Sequence, residues 1–190
     1  MARCSVRCRS YRPCGYTGCP YTEDVVVGGD NLAYGDFDME ITNNDILGGR
    51  GKVRLGTGND AWGDNRSRIR DNDVYNANGM VDIGVANTAG RDGDMDISLN
   101  KVDGSNPGSR VRIGVTNDAG YDNRMRVMRN IVKNAEDDVD IGLGNRAGRH
   151  NKMQVSGNEV LGGQGRVRIG CGNGATTDNN ARITGNRVYR

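Results

Sequence analysis

The side chains of this 190-residue sequence with the greatest capacity for covalent chemistry are its cysteines. Four of them, Cys4, Cys8, Cys14 and Cys19, precede residue 20, and Cys171 stands alone near the end. Clustered thiols form disulfides or bind zinc, and most four-cysteine zinc sites contain C-x2-C pairs. Because no such pair occurs here, we predict disulfides between subunits at these five cysteines. Zinc binding by the first four is the alternative.

The remaining chemistry-bearing residues form no catalytic set. The single histidine, His150, takes a turn position that five other segments fill with aspartate, so we expect a surface residue and not a general base. Asp-Asn pairs such as Asp64-Asn65 suit turns, and the GGxGxD repeat of calcium-binding β-rolls is absent from the sequence. The sequence therefore predicts no enzymatic activity, no catalytic residue, no cofactor and no metal.

The elements that position these residues follow an internal repeat. An apolar-x-apolar-Gly signature ends at Gly28, Gly56, Gly84, Gly114, Gly142 and Gly170, at intervals of 28 residues with one interval of 30. Two asparagine positions recur in phase. The first is Asn31, Asn59, Asn87, Asn117, Asn145 and Asn173, and the second is Asn44, Asn72, Asn100, Asn130, Asn158 and Asn186.

The repeat predicts an all-β fold. Short alternating apolar runs separated by Gly, Asn and Asp indicate strands and tight turns, and a strand pattern that recurs at a fixed interval places equivalent strands side by side in parallel. We therefore predict a parallel β-solenoid of six coils of about 28 residues over 23–190. Residues 1–22 lack the repeat and form a basic, cysteine-rich, extended arm. The stacked asparagines are expected to form hydrogen-bonded ladders along the axis.

The segments ITGNRV, VSGNEV and ITNNDI resemble the coil repeats of right-handed parallel β-helices of the pectate-lyase-like superfamily, over residues 24–190. The resemblance implies a right-handed coil, but it leaves function open because the superfamily includes lyases, tailspikes, adhesins and structural proteins. A carbohydrate-binding or carbohydrate-cleaving β-helix, as an adhesin or polysaccharide lyase, is the alternative function. A leucine-rich repeat, whose strand spacing fits Met95-x-Ile97-x-x-Asn100-x-Val102, is the alternative fold.

Charges alternate in sign along the predicted stack. The outward position of one strand reads Val26, Arg54, Asp82, Arg112, Asp140 and Arg168, and that of another reads Glu40, Arg68, Asp96, Arg126, Gln154 and Arg182. Alternation avoids the repulsion of like charges on neighbouring strands. A solvated surface that merely avoids this repulsion is one interpretation, and an assembly pattern is the other.

The ends of the predicted rod carry opposite charge. Residues 23–50 contain seven acidic residues and one arginine, whereas residues 163–190 contain five arginines and one aspartate. If a second copy stacks on the last coil in register, Arg182 faces Glu40 and Arg187 faces Asp45. We therefore predict a head-to-tail homopolymer whose interface comprises Val26, Glu40, Asp45, Arg168, Arg182 and Arg187. A monomer capped by its own arm is the alternative.

The predicted disulfides indicate an oxidising location, although no export signal is visible. The combination resembles spore-appendage fibres with cysteine-containing N-terminal arms, so we expect a structural filament outside the cell or on a spore surface. A spore or cell-surface anchor protein is a further expected partner. We expect no membrane and no nucleic-acid partner, although the arm's arginines, Arg3, Arg7, Arg9 and Arg12, leave nucleic-acid contact as an alternative.

Overall fold

A computed structural model describes residues 24–47, 51–77, 79–104 and 108–189. The described chain forms 24 short β-strands and, within these ranges, no helix. Four strands make one coil, and the equivalent strands of six coils pair in parallel to form four six-stranded sheets, A to D. The all-β parallel solenoid of six coils of about 28 residues predicted from the sequence is confirmed. The predicted arm, residues 1–22, lies outside the described residues.

Sheet A contains the strands of the apolar-x-apolar-Gly signature: β1 (Val25–Val27), β5 (Val53–Leu55), β9 (Val81–Ile83), β13 (Val111–Ile113), β17 (Val139–Ile141) and β21 (Val167–Ile169). The glycine after each strand has a positive φ, between 59° and 71°. At Gly56, an added Cβ would also lie 2.5 Å from Cδ1 of Ile69. Glycine is required here because it alone combines the left-handed backbone with this close approach.

Sheet B consists of two-residue strands that follow the first asparagine position: β2 (Leu32–Ala33), β6 (Asp60–Ala61), β10 (Thr88–Ala89), β14 (Asp118–Ala119), β18 (Arg146–Ala147) and β22 (Gly174–Ala175). The alanines of the four middle coils are buried. The same small apolar side chain therefore lies inside each of these coils.

Sheet C holds the longest strands: β3 (Phe37–Thr42), β7 (Asn65–Arg70), β11 (Gly93–Ser98), β15 (Asn123–Met128), β19 (His150–Ser156) and β23 (Asp178–Thr184). Sheet D follows the second asparagine position: β4 (Asp45–Leu47), β8 (Asp73–Tyr75), β12 (Lys101–Asp103), β16 (Ile131–Lys133), β20 (Glu159–Leu161) and β24 (Arg187–Tyr189). We number the coils 1 to 6, from β1–β4 to β21–β24.

The core is an apolar column in which like residues stack, and a separate small cluster consists of Val85, Val115 and Leu143. Met95 pairs with Met125 and Met125 with Met153, and valine, isoleucine and methionine fill most of the interior. The two-residue insertion lies between β12 and β13 and leaves the register intact, since Lys101 still pairs with Ile131. Buried Ser109 closes this loop by donating to the carbonyl of Gly104 at 2.6 Å.

Candidate assembly site at the ends of the rod

Both asparagine positions form continuous hydrogen-bonded ladders, which confirms the prediction. At Asn59, Nδ2 donates to Oδ1 of Asn87 in the next coil at 2.9 Å and to the carbonyl of Gly28 in the previous coil at 3.0 Å. The backbone N–H of Asn59 donates to the same Oδ1 of Asn87 at 3.0 Å. Every donor therefore reaches a partner in an adjacent coil.

The bonds between asparagines have one direction: Nδ2 and the backbone N–H of each asparagine donate to Oδ1 of the asparagine in the next coil toward coil 6, while its own Oδ1 accepts from the previous coil. In coil 6, Nδ2 of Asn173 and Asn186 bonds only to carbonyls of coil 5, at 3.0 Å in both cases. Among described residues, no acceptor meets their backbone N–H groups, and no donor reaches Oδ1 of Asn31 or Asn44 in coil 1. The two ends thus present complementary groups.

The outward column of sheet A contains two buried aspartates held by arginines of the next coil. Arg168 donates from Nε and Nη2 to the two oxygens of Asp140, both at 2.7 Å, and Arg110 adds a bond at 3.1 Å. Nε of Arg112 lies 2.6 Å from Asp82 in the same manner. This column begins with the uncharged Val26 in coil 1 and ends with Arg168 in coil 6.

Burial and pairing act in opposite directions on these carboxylates. Burial of Asp140 alone would raise its pKa, but the hydrogen bonds from Arg168 and Arg110 outweigh it and hold the pKa below its usual value. The bond to Asp140 in turn raises the pKa of Arg168. The pair is therefore fully ionised at neutral pH.

The other two predicted junction columns lie on sheets C and D. Glu40 pairs in register with Arg68, and Arg182 with Gln154, so these charges stand at the two ends of one column. In sheet D, Nη1 of Arg187 lies 3.5 Å from Oε1 of Glu159 in the coil below. That contact shows the geometry which an arginine and a carboxylate adopt at this position.

Asp45 stands at the opposite end of the sheet D column, beside a like charge. Its register partner is Asp73, which itself lies 3.6 Å from Nζ of Lys101 in the next coil. The carboxylate of Asp45 has no basic partner among the described residues. It is therefore the junction residue whose environment within the chain is least favourable.

The ends differ in how far their interiors are exposed. In coil 6, Ile183 and Val188 are 45% and 44% exposed, since no described residue lies beyond them. In coil 1, Val27 and Ile41 are only 2% exposed. Apolar side chains of the interior are thus exposed at the coil-6 end, whereas those of coil 1 are buried.

Only one of the five cysteines, Cys171, lies in the described residues. Cys171 is a free, exposed thiol between β21 and β22, next to the coil-6 end, and its Sγ lies 3.5 Å from the carbonyl oxygen of Ile169. Cys4, Cys8, Cys14 and Cys19 lie outside the described residues, so the predicted disulfides remain a prediction.

His150 bridges two carboxylates on the surface. Its Nδ1 lies 2.8 Å from Asp122 and its Nε2 lies 3.4 Å from Asp178, in the coils on either side. The hydrogen bond from His150 lowers the pKa of Asp122. The residue thus continues the column of turn aspartates, and the described ranges contain no cluster of three metal-ligating side chains.

Some ion pairs join residues at different positions of the repeat, and the repeat pattern did not predict them. Arg70 of sheet C bonds Asp96 of the next coil, and Arg110, which precedes β13, reaches Asp140. Each pair joins positions that are not equivalent in the repeat. Only the three-dimensional arrangement brings them together.

No known protein family, curated protein or solved structure matches this chain. No helix long and apolar enough to cross a membrane occurs in the part of the chain that the structure describes.

Proposed function

We propose that this protein is a structural subunit that assembles head-to-tail into a filament, with coil 6 of one copy stacked on coil 1 of the next. The observation that carries the proposal is the complementarity of the two ends, in charge and in hydrogen-bonding groups. Such a contact repeats without closing, so it produces a filament rather than a ring or dimer.

The first support is that six coils are an even number. In the outward columns of sheets A and C, coils 2, 4 and 6 carry arginine and the odd-numbered coils carry an acidic or uncharged residue, so in these columns the junction continues the order found inside the chain. Arg182 then faces Glu40, Arg187 faces Asp45, and Arg168 lies beside Val26. An odd coil number would place like charges together.

The second support is the direction of the asparagine ladders. In register, the N–H and Nδ2 of Asn173 donate to Oδ1 of Asn31 in the next copy, and Asn186 donates to Asn44 likewise. These bonds reproduce those between Asn145 and Asn173 inside the chain, which measure 2.9 and 3.0 Å. Stacking two coil-6 ends on each other would instead oppose donor to donor and arginine to arginine.

The third support is the exposed cross-section of coil 6, because an open solenoid edge is normally covered. Ile183 and Val188 of this end lose exposure when a second copy stacks on them. The interior of coil 1 is already buried in the single chain, so the apolar area gained in the interior comes mainly from the coil-6 end.

The proposal also covers disulfides between subunits, the family that the coil resembles and the location of the filament. Cys171 lies beside the open end, so we propose that thiols of the arm, Cys4, Cys8, Cys14 or Cys19, pair with it or with other arms after assembly. A right-handed, pectate-lyase-like coil and a spore-appendage-like role outside the cell or on a spore surface belong to the same proposal. An oxidising location is what such disulfides need.

Electron microscopy and light scattering of the full chain under reducing and oxidising conditions test the proposal. Unbranched filaments one solenoid wide are expected, with disulfide oxidation increasing their resistance to dilution. Arg182→Glu should prevent assembly because it opposes Glu40. The control is Lys152→Glu, which makes the same change in charge one coil away. A monodisperse monomer at all concentrations, or equal assembly of both variants, would contradict the proposal.

A further inference from the structure

The outward position that ends each strand of sheet D forms a column with an uneven composition. From coil 1 to coil 6 it reads Leu47, Tyr75, Asp103, Lys133, Leu161 and Tyr189. Leu47 pairs in register with Tyr75, Asp103 with Lys133, and Leu161 with Tyr189. The column is thus apolar in the two coils at each end of the rod and charged in the middle.

The two terminal residues of this column are exposed apolar side chains. Leu47 is 73% exposed and Tyr189 is 51% exposed. Single exposed apolar residues are common on protein surfaces. Here, however, the same column places one at each end of the rod, and each has a Leu–Tyr neighbour step beside it.

We propose, on the basis of the head-to-tail junction proposed above, that these residues form a Leu–Tyr seam which closes the outside of that junction. Tyr189 of one copy packs against Leu47 of the next copy. The column then reads Leu161, Tyr189, Leu47, Tyr75 without a break across the junction. The partner that fits this surface is a second copy of the chain.

The geometry of the neighbouring step supports the seam. Leu161 is half-buried beside Tyr189, and the hydroxyl of Tyr75 donates to Oδ2 of Asp73 at 2.7 Å, which holds its ring along the strand. Packing of Leu47 between two tyrosines would bury apolar area that the single chain exposes.

The seam also favours one register of the strands across the junction. A shift of one residue toward the start of β4 would bring Tyr189 beside Ile46, whose side chain is buried, and would move the charged pairs out of line at the same time. The seam and the charge columns therefore favour the same alignment of two copies.

The critical concentration for assembly of the full chain, measured by pelleting, tests the seam. Tyr189→Asp places a carboxylate against Leu47, so the critical concentration should rise at least about tenfold. The double variant Tyr189→Asp with Leu47→Lys should return toward the native value, because it reproduces the Asp103–Lys133 step of the same column. Lys133→Ala, in the middle of the column, is the control and should leave assembly unchanged.

Circular dichroism of each dilute variant verifies that the chain remains folded. If the native chain forms filaments and Tyr189→Asp does so at the same critical concentration, the seam is wrong and the head-to-tail junction stands. Failure of the double variant to recover, with both single variants folded, would also contradict the seam. A native chain that never assembles would overturn the proposed function and the seam together.

Discussion

At the scale of single residues, asparagine is the side chain that the stack requires. Its amide offers two donors and an acceptor on a short side chain, so one side chain bonds to the coil below and to the coil above, and its Oδ1 also accepts the backbone N–H of the asparagine in the coil below. Aspartate lacks the donor, and alanine lacks both groups. This explains why both asparagine positions recur in all six coils.

Asn100 offers the sharpest test of this role. The side chain is fully buried and donates to the carbonyl of Ile69 at 2.9 Å and to Asn130 at 3.0 Å. Its Oδ1 accepts from Nδ2 of Asn72 at 2.9 Å. Asn100→Ala removes the acceptor of both Nδ2 and the backbone N–H of Asn72 and the donor to the carbonyl of Ile69, so we expect the free energy of unfolding to fall by at least about 2 kcal/mol, since each buried unsatisfied group costs about 1–3 kcal/mol.

Urea-induced unfolding followed by circular dichroism measures this change. The matched control is Asn180→Ala, an exposed asparagine on β23, which should alter the free energy of unfolding by less than about 0.5 kcal/mol. Equal losses for the two variants would show that the ladder bonds do not stabilise the coil.

At the scale of elements, adjacent strands are held together by buried ion pairs as well as by the core. Asp140 on β17 is buried and receives three bonds from Arg168 on β21 and Arg110 before β13. The pairing lowers the pKa of Asp140, although burial opposes this. A carboxylate whose folded pKa is lowered stabilises the fold above its unfolded pKa of about 3.9, and this contribution disappears as the pH falls through the folded pKa.

Asp140→Asn should therefore unfold more easily at neutral pH, and its disadvantage should shrink as the pH falls below about 4. We expect a loss of about 1–3 kcal/mol at pH 7, less than for a fully buried pair because Arg168 is partly exposed. Urea unfolding at a series of pH values measures the difference. Asp94→Asn, whose carboxylate is exposed and 3.9 Å from Arg124, is the control and should show little difference at any pH. A pH-independent loss at Asp140 would contradict the assignment.

At the scale of the whole molecule, the repeat predicted the fold because each coil obeys the same local rules. The glycines of the first signature predicted the turns after sheet A, and the asparagines predicted the ladders. The division of each coil into four strands was less visible, since two-residue strands such as Thr88–Ala89 have too few residues for a pattern. Pairs such as Arg70 with Asp96 join inequivalent positions, and the covered interior of coil 1 has no signature in the repeat.

The proposed filament makes a prediction that separates the stability of the chain from its assembly. Asp45 is repelled by Asp73 within the chain, yet it is the proposed partner of Arg187 across the junction. Asp45→Lys should stabilise the single chain by a few tenths to about 1 kcal/mol, because it can pair with Asp73 as Lys101 does from the other side at 3.6 Å. The same change should raise the critical concentration for assembly about tenfold, since a lysine then meets Arg187 at the junction.

Asp60→Lys is the control for Asp45→Lys. It makes the same change in charge in coil 2, where its register neighbours are Leu32 and Thr88, and it should leave assembly unchanged. Opposite signs for folding and assembly would support in-register stacking, because a defect in folding alone lowers both. If Asp45→Lys assembles like the native chain, Arg187 does not meet Asp45, and the two ends join in another register or not at all.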